Sequence, residues 1–346
     1  KMCGIVGFID PEARTQNPEL VLTRMQQALT HRGPDQSGAI HRGPVHLGHR
    51  RLAIVDPSEA GRQPFEYDQV IAVANGEIYN HQELRKHLLK SFDDPDVDSI
   101  PKSDCAVIPR LWRARGEDFI HDLSGMYALA LFDERSQTLV LARDPAGQKP
   151  LYYAQLPGGG IAFGSELKAL LEHPLVVRDL CPLALRQFLA FDYVPGNRSI
   201  YATVSKLAPG SMVQWCQGKL QEKRTFLPSK QVPTFDSIDE AAQGVWETLR
   251  DSVRARLMSD VPIGIFLSGG IDSAAIVAAM CELMDGASVR TFSIGFDDAG
   301  YDESGAAQTI AKSFGTHHHT KVLRAESVAH SLPGIMATLD EPFADA

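Results

Sequence analysis

A chain of 346 residues has room for two ordinary domain cores, and its 44% hydrophobic and 22% charged composition excludes a disordered or fibrous chain. With 43 acidic against 34 basic residues the formal net charge is -9, which argues against a broad nucleic-acid footprint. No apolar run has bilayer-spanning length, and the start lacks the charged-then-apolar pattern of a secretory signal. Cysteines stand at positions 3, 105, 181, 216 and 281 without a close CxxC pair, so neither a zinc cluster nor a disulfide framework is indicated. A cytoplasmic setting with no membrane or nucleic-acid partner is expected.

Residues 3–9 are small and apolar and predict a strand packed on both faces. Asn17-Pro18 reads as an N-cap followed by proline at the first helical position, with Leu22, Met25 and Leu29 on one face of the helix that follows. The helix runs into His31-Arg32-Gly33-Pro34-Asp35, a turn or loop. Strands are then predicted at 46–51, 69–74, 126–132, 138–142 and 161–164. Asn80 and Glu83 have capping-box spacing ahead of Leu84 and Leu88, and the acidic stretch 93–98, with Pro95, reads as a solvated loop. Many strands with few helices imply layered sheets with helices outside.

The pattern changes after residue 210. Residues 217–237 are polar and carry Pro228 and Pro233, which places a linker at 213–237, between domains at 3–212 and 238–346. Ser237 and Glu240 have the spacing to cap a long helix whose inner face carries Val245, Leu249, Val253 and Leu257. A strand at 261–267, a helix at 272–284, a strand at 289–294 and a helix at 303–314 ending at Gly315 follow in βαβ order. Ligands of such parallel sheets lie beyond the carboxyl ends of the strands.

Cys3 lies almost at the start, where an α-amino group titrating near ~8 could accept its thiol proton through water. That chemistry requires Cys3 to be the first residue. If Met2 is the natural start, its removal would expose Cys3, whereas Lys1 reads as a remnant or an uncleaved leader residue. The competing reading is a buried structural cysteine in a central strand. Asn75-Gly76-Glu77 follows an apolar run, as an oxyanion-stabilising turn should, with the Asn75 amide and the Gly76 N–H as donors. Arg51 and Asp104 suit the carboxylate and ammonium of an amino acid, and Glu77 adds a second contact to the ammonium. Each has an ordinary alternative: Asn-Gly is a common turn, and Arg51 and Asp104 could be surface residues.

Phe266-Leu267-Ser268-Gly269-Gly270-Ile271-Asp272-Ser273 breaks from an apolar run into a glycine turn before an alanine-rich helix. Glycine lets backbone approach phosphate oxygens, and the helix start offers free N–H groups. Ser268 and Ser273 add hydroxyls, and Asp272 calls for a Mg²⁺ between itself and the phosphate. The loop lacks the lysine of G-x-x-x-x-G-K-[ST] and is not G-x-G-x-x-G. An ordinary glycine turn is the alternative. Ile294-Gly295-Phe296 ends a neighbouring strand and could receive the adenine. His317-His318-His319 is a strand start or loop, since consecutive side chains do not share one metal easily. Glu341 and Asp345 stand in an expected loop, as a base and a Mg²⁺ contact, or else as acidic residues near the end of the chain.

Taken together, Met2-Cys3-Gly4-Ile5-Val6-Gly7, His31-Arg32-Gly33-Pro34-Asp35, Arg51-Leu52-Ala53-Ile54-Val55-Asp56, Asn75-Gly76-Glu77-Ile78-Tyr79-Asn80, Gly164-Ser165-Glu166-Leu167-Lys168-Ala169-Leu170, the Ser268 loop and Phe292-Ser293-Ile294-Gly295-Phe296 resemble the glutamine-dependent asparagine synthetase family. The resemblance covers nearly the whole chain. It implies an α+β N-terminal-nucleophile domain with αββα layers, then an α/β adenine-nucleotide α-hydrolase-like parallel-sheet domain, incomplete here. By that resemblance Cys3 attacks the glutamine amide, Asn75 and Gly76 form the oxyanion hole, and Arg51, Glu77 and Asp104 hold the glutamine. ATP and Mg²⁺ are implied at Phe266, Ser268, Gly269, Gly270, Asp272, Ser273 and Ile294, with the metal at Asp272 and Asp345 and Glu341 as a catalytic base. The released ammonia amidates an adenylated carboxylate, aspartate by family default, giving AMP and pyrophosphate. A homodimer is left open.

Three departures accompany the resemblance. Lys1-Met2 precedes the thiol, Ala274 stands where relatives carry a second serine, and the family's later Ser-Gly-Glu-Gly segment and charge-stabilising lysine are expected beyond residue 346. The competing readings are an ATP-dependent amide- or lactam-forming synthetase without glutaminase use, and a non-catalytic structural or regulatory homologue.

Overall fold

A computed structural model describes residues 2–91, 99–227, 234–298 and 300–344. The predicted loop at 93–98, the linker prolines Pro228 and Pro233, and Asp345 lie outside the described residues. Two compact units form: one from the N-terminal part of the chain together with the segment starting at Leu339, the other ending at Thr338.

The first unit opens with β1 (Gly4–Ile9), α1 (Pro18–Ala28), β2 (Gln36–Arg42), β3 (Val45–Arg51), β4 (Phe65–Tyr67) and β5 (Val70–Ile78). Three helices follow, α2 (His81–Ser91), α3 (Ile108–Arg115) and the short α4 (Phe119–Asp122). Strands β6 (Gly125–Asp133), β7 (Thr138–Arg143), β8 (Tyr152–Leu156) and β9 (Gly160–Gly164) lead to α5 (Leu167–Leu170) and α6 (Pro182–Phe191). The last strands are β10 (Val204–Lys206), β11 (Ser211–Cys216) and β12 (Lys219–Arg224).

Antiparallel pairing arranges these strands as two six-stranded sheets, β10-β8-β9-β1-β3-β2 and β12-β11-β7-β6-β5-β4. Side-chain alternation then divides the core into layers. Ile5 and Ile9 of β1 meet Ile71, Val73, Ala128 and Ala130 between the sheets, while Val6 and Phe8 point the other way onto Leu22, Met25 and Leu29. On the far side, Ala72 and Ala74 of β5 pack under Leu84, Ile108, Leu111 and Phe119. Each fully buried aliphatic side chain contributes roughly 1.5–3 kcal/mol. The result is the αββα layering of the N-terminal-nucleophile fold, as expected, and it buries β1 on both faces.

Several local expectations change. Asn17 adopts a left-handed backbone (φ 50°) and makes no side-chain cap, leaving Pro18 to start α1. Asn80 does not cap α2; its amide bridges Asp122 O at 2.8 Å and Ser124 N at 3.0 Å. Asn75-Gly76-Glu77 is not a turn but the end of β5, with Asn75 opposite Ala128 and Gly76 opposite Tyr127. The partner strand runs so close that a Cβ on Gly76 would collide with the Met126 carbonyl. The expected linker begins inside the β11–β12 hairpin. Gln217 (φ 47°) and Gly218 (φ 80°) make its tight turn, and β12 is a polar, exposed edge strand with no need of apolar residues.

The second unit comprises α7 (Ile238–Arg256), β13 (Gly264–Phe266), α8 (Ile271–Leu283), β14 (Arg290–Phe296), α9 (Ser304–Phe314), β15 (His317–Leu323) and α10 (Ala325–Thr338). Its strands form a parallel sheet in the order β13-β14-β15, the ATP-pyrophosphatase-like domain expected. The Ser237 cap is present, its Oγ accepting from Glu240 N at 3.1 Å, while the Glu240 carboxylate reaches one residue further back and accepts from Asp236 N at 2.7 Å. Val253 is buried on α7, flanked by Leu249 and Leu257, whereas Val245, expected on the same face, is 66% exposed. The His317-His318-His319 run opens β15, where His318 hydrogen-bonds Thr291 and Ser293 and His319 stacks on Phe292. Among the described residues no helix is long and apolar enough to cross a membrane.

Candidate active site

Cys3 sits at the entry to β1, whose pairing with β3 and β9 sets its position. Its Sγ faces Leu52, donating to the carbonyl oxygen at 3.5 Å and accepting from the amide N–H at 3.4 Å. Burial pushes the thiol pKa up, and the Asp104 charge adds to this. The Leu52 backbone and the positive charges of Arg51 and Lys149 act in the opposite sense.

A cavity of about 170 Å³ opens beside the sulfur, lined by Arg51, Asn75, Gly76, Glu77, Asp104 and Lys149 among others. The topology thus brings the predicted thiol, oxyanion donors and amino-acid-binding residues together. Asn75 is buried, and in the amide orientation that satisfies its neighbours it donates to Cys3 O at 3.0 Å and accepts from Arg32 Nη2 at 3.2 Å. One amide hydrogen remains for a ligand. Asp104 accepts from Ile78 N at 2.7 Å, and burial raises its carboxyl pKa against that hydrogen bond and the nearby His81.

Arg51 is more committed than the sequence implies. Its Nη1 donates to Gln36 Oε1 at 2.6 Å and Ser58 O at 3.0 Å, and its Nη2 to Val55 O at 2.9 Å and Asp56 O at 2.5 Å. All four Nη hydrogens therefore hold neighbouring groups, three of them carbonyls of the following loop. A carboxylate ligand must share or displace these contacts.

Three residues of this site were not singled out from sequence. Arg32 donates from Nε to Cys3 O at 2.8 Å and from Nη1 to Glu166 at 2.8 Å, tying the two signature loops together. Lys149 brings an ammonium into the cavity at the end of a turn. The signal for all three was present, since Arg32 and Glu166 lie in quoted motifs and Lys149 closes an Asp-Pro-Ala-Gly turn. No local pattern, however, says that these segments meet.

In the second unit, Ser268 Oγ lies 2.9 Å from Ser273 Oγ and accepts from Gly270 N at 3.2 Å. α8 has Gly270 at its N-cap position and no side-chain cap, so the first-turn N–H groups are available to an anion. A Cβ on Gly269 would come within 2.9 Å of Ala306 Cβ, so the close approach of α9 requires glycine. These features fit a phosphate group. Phe266 and Ile294 are 77% and 49% exposed, respectively, and Asp272 is exposed in the first turn of α8. Among the described residues no set of three His, Cys, Asp or Glu side chains is gathered as a metal site, so Asp272 stands as a single donor.

Glu341 is placed differently from expectation. Its carboxylate accepts from Ile200 N at 2.9 Å and pairs with Lys206 Nζ at 2.5 Å, within the first unit. Beside it Asp340 accepts from Leu167 N at 2.5 Å and faces Lys168 Nζ at 3.5 Å. Backbone donors and a lysine thus occupy both carboxylates, and the segment from Leu339 belongs to the first unit instead of the second.

A thiol pocket in an αββα fold, followed by a parallel-sheet nucleotide-type domain, defines the two-domain class of glutamine amidotransferases. The comparisons agree. The family model described as "Glutamine amidotransferase domain" matches residues 2–226, and the one described as "Asparagine synthase" matches 244–346. The chain belongs to the glutamine amidotransferase family, with an asparagine-synthase domain fused behind it. It is 35% identical to the glutamine-hydrolyzing asparagine synthetase 1 of Bacillus subtilis, over 99% of this chain and 54% of that protein. It is 31% identical to the putative glutamine-hydrolyzing asparagine synthetase 2 of Methanocaldococcus jannaschii, over 99% of this chain and 69% of that one. The corresponding enzyme of Sandersonia aurantiaca is 32% identical, over 92% and 55%. The chain thus spans about half to two thirds of the length of these relatives.

Proposed function

We propose that this chain carries the glutamine-hydrolysing site and part of the synthetase site of an asparagine synthetase or a close relative. The observation that carries the reading is the convergence of Cys3, Asn75, Gly76, Arg51, Glu77 and Asp104 on one cavity. Cys3 Sγ attacks the side-chain amide carbon of glutamine, and the tetrahedral oxyanion is held by the free amide hydrogen of Asn75 and by the Gly76 N–H. Expulsion of ammonia leaves a glutamyl thioester, which water cleaves to glutamate.

A buried thiol with a raised pKa needs a base, and the α-amine of Cys3 supplies it in the form of the chain that Cys3 leads. Asp104 and Glu77 take the substrate ammonium, and Arg51 takes the carboxylate by loosening its hold on the 55–58 carbonyls. The ammonia is used in the second unit, on an acceptor carboxylate, aspartate by family default. There ATP would supply the adenylyl group that activates the carboxylate, with pyrophosphate as the group lost, and magnesium would offset the phosphate charge. Ser268, Gly269, Gly270 and Ser273 would hold the phosphates and Asp272 the metal. Asp345 remains a second metal contact by resemblance alone, and the partners that already occupy Glu341 weigh against its role as base.

The test is product analysis of the full-length protein with glutamine, Mg-ATP and aspartate. Glutamate, AMP, pyrophosphate and asparagine are expected. ADP with phosphate would overturn the adenylation step, and another amide product would replace aspartate. Cys3→Ala should abolish glutamine use and preserve synthesis from added ammonia.

A further inference from the structure

The turn that carries Lys149 is built with unusual rigidity. Fully buried Asp144 accepts from the backbone N–H groups of Tyr127, Ala146, Gln148 and Lys149, at 3.3, 3.1, 2.9 and 3.0 Å. Arg143 reaches across the same turn, donating to Gly147 O and Lys149 O, each at 2.7 Å. Gly147 turns the chain at φ +66°, a left-handed conformation that favours glycine. Both backbone polar groups of Lys149 are thereby pinned, and its side chain enters the cavity beside Cys3.

That side chain is only 6% exposed, yet among the described residues its ammonium makes one hydrogen bond, to the thioether sulfur of Met2 at 3.2 Å. A thioether is a weak acceptor, and burying an ammonium without a strong partner is costly. The charges facing Lys149 are Glu77, Arg32, Asp144 and the Cys3 sulfur, and those facing Cys3 are Arg51, Asp104 and Lys149, with the Cys105 thiol also near. Arg32 spends its donors on Cys3 O and Glu166, and Arg51 spends its Nη hydrogens on its own loop. Among the described residues Lys149 is thus a cation of this cavity with donors still to place. In the form that Cys3 leads, Met2 no longer takes one of them, and the Cys3 α-amine joins the charges facing the sulfur.

We propose that Lys149 is an electrostatic positioning residue for the nucleophile: its ammonium, alongside Arg51 and the Leu52 amide, stabilises the thiolate of Cys3 and so raises the fraction of reactive sulfur near neutral pH. The inference rests on reading Cys3 as the nucleophile. The residue binds no proton in the step itself; the thiol proton leaves to the base or to solvent, and the fixed positive charge favours the anion that remains.

The test is the pH dependence of Cys3 alkylation by iodoacetamide, in which the thiolate displaces iodide and forms an S–C bond, read by mass at the Cys3 peptide. For Lys149→Met the midpoint should rise by about one pH unit, slowing alkylation near neutral pH about tenfold, while Lys149→Arg should stay close to the parent. Circular dichroism establishes that each variant is folded. If Lys149→Met fails to fold, Lys149→Gln takes its place. Superimposable alkylation profiles in folded variants overturn the proposal, and with a raised KM for glutamine they reassign Lys149 to the substrate carboxylate. If Lys149→Met shifts as expected but the parent protein does not hydrolyse glutamine, the glutaminase reading is sunk and the Lys149–Cys3 pairing stands.

Discussion

Arg32 Nε donates to the backbone carbonyl of Cys3 at 2.8 Å, so the proposed nucleophile is held by a side chain from the His-Arg-Gly-Pro-Asp loop. The same guanidinium reaches Glu166, which also touches His31 and Lys168. Replacing Arg32 by Met leaves Glu166 buried with weaker partners. A loss of about 3 kcal/mol is expected, at the lower end for a broken buried pair because His31 and Lys168 remain. Urea unfolding of the first unit measures it, and a loss under 1 kcal/mol would show that the pair adds little. Glu166→Gln should cost less, since it removes the stranded charge.

Gly76→Ala places a methyl group against the Met126 carbonyl, which is backbone and cannot swing aside. The strand pair must separate, costing about 1–3 kcal/mol and displacing the N–H proposed as an oxyanion donor. Glutamine turnover should fall far more steeply than stability. Equal losses in both would place Gly76 in the scaffold alone.

Acid should weaken the first unit through its buried imidazoles. Burial holds His46 and His173 down to about 4 and His49 to about 3, from an ordinary value of 6.5. Between those values the unfolded chain binds protons that the folded chain refuses, so stability falls as pH drops from 6.5 toward 4. His49 is held lowest, and His46 Nδ1 lies 2.7 Å from His41 Nδ1, so protonating both rings would set two donors against each other. The unfolding midpoint measured from pH 7 to 4 should decline, and His46→Gln should flatten the decline. A pH-independent midpoint would contradict the neutral, buried state.

Ser237→Ala removes the side-chain acceptor for Glu240 N at the start of α7. A cost of about 1 kcal/mol is expected, confined to the second unit. Amide exchange at Glu240 should accelerate about fivefold while amides of β1 and β5 keep their rates. Unchanged exchange at Glu240 would mean that the cap is dispensable.

Much of this arrangement could be read locally, where the governing interactions run between near neighbours. Ser237 and Glu240 are three residues apart, and the glycines after Ser268 act on the turn that contains them. The same reasoning failed where a near neighbour was outcompeted. Asn80 gives its amide to Asp122 and Ser124 rather than to its helix, and the polar strand β12 looked like linker because an exposed edge asks for no apolar face.

The sequence by itself determined the chemistry that is available: a thiol near the start, an Asn-Gly pair after an apolar run, and a glycine turn ahead of a helix. Only the tertiary structure decided who meets whom. Antiparallel pairing of β1 with β3 and β9 carries Cys3 to Leu52, and the turn after β7 delivers Lys149 to the same cavity. The physical reason is range. Capping and turn formation act over a few residues, whereas sheet register and the burial of charge depend on groups far apart in the chain, whose proximity exists only once the core has closed.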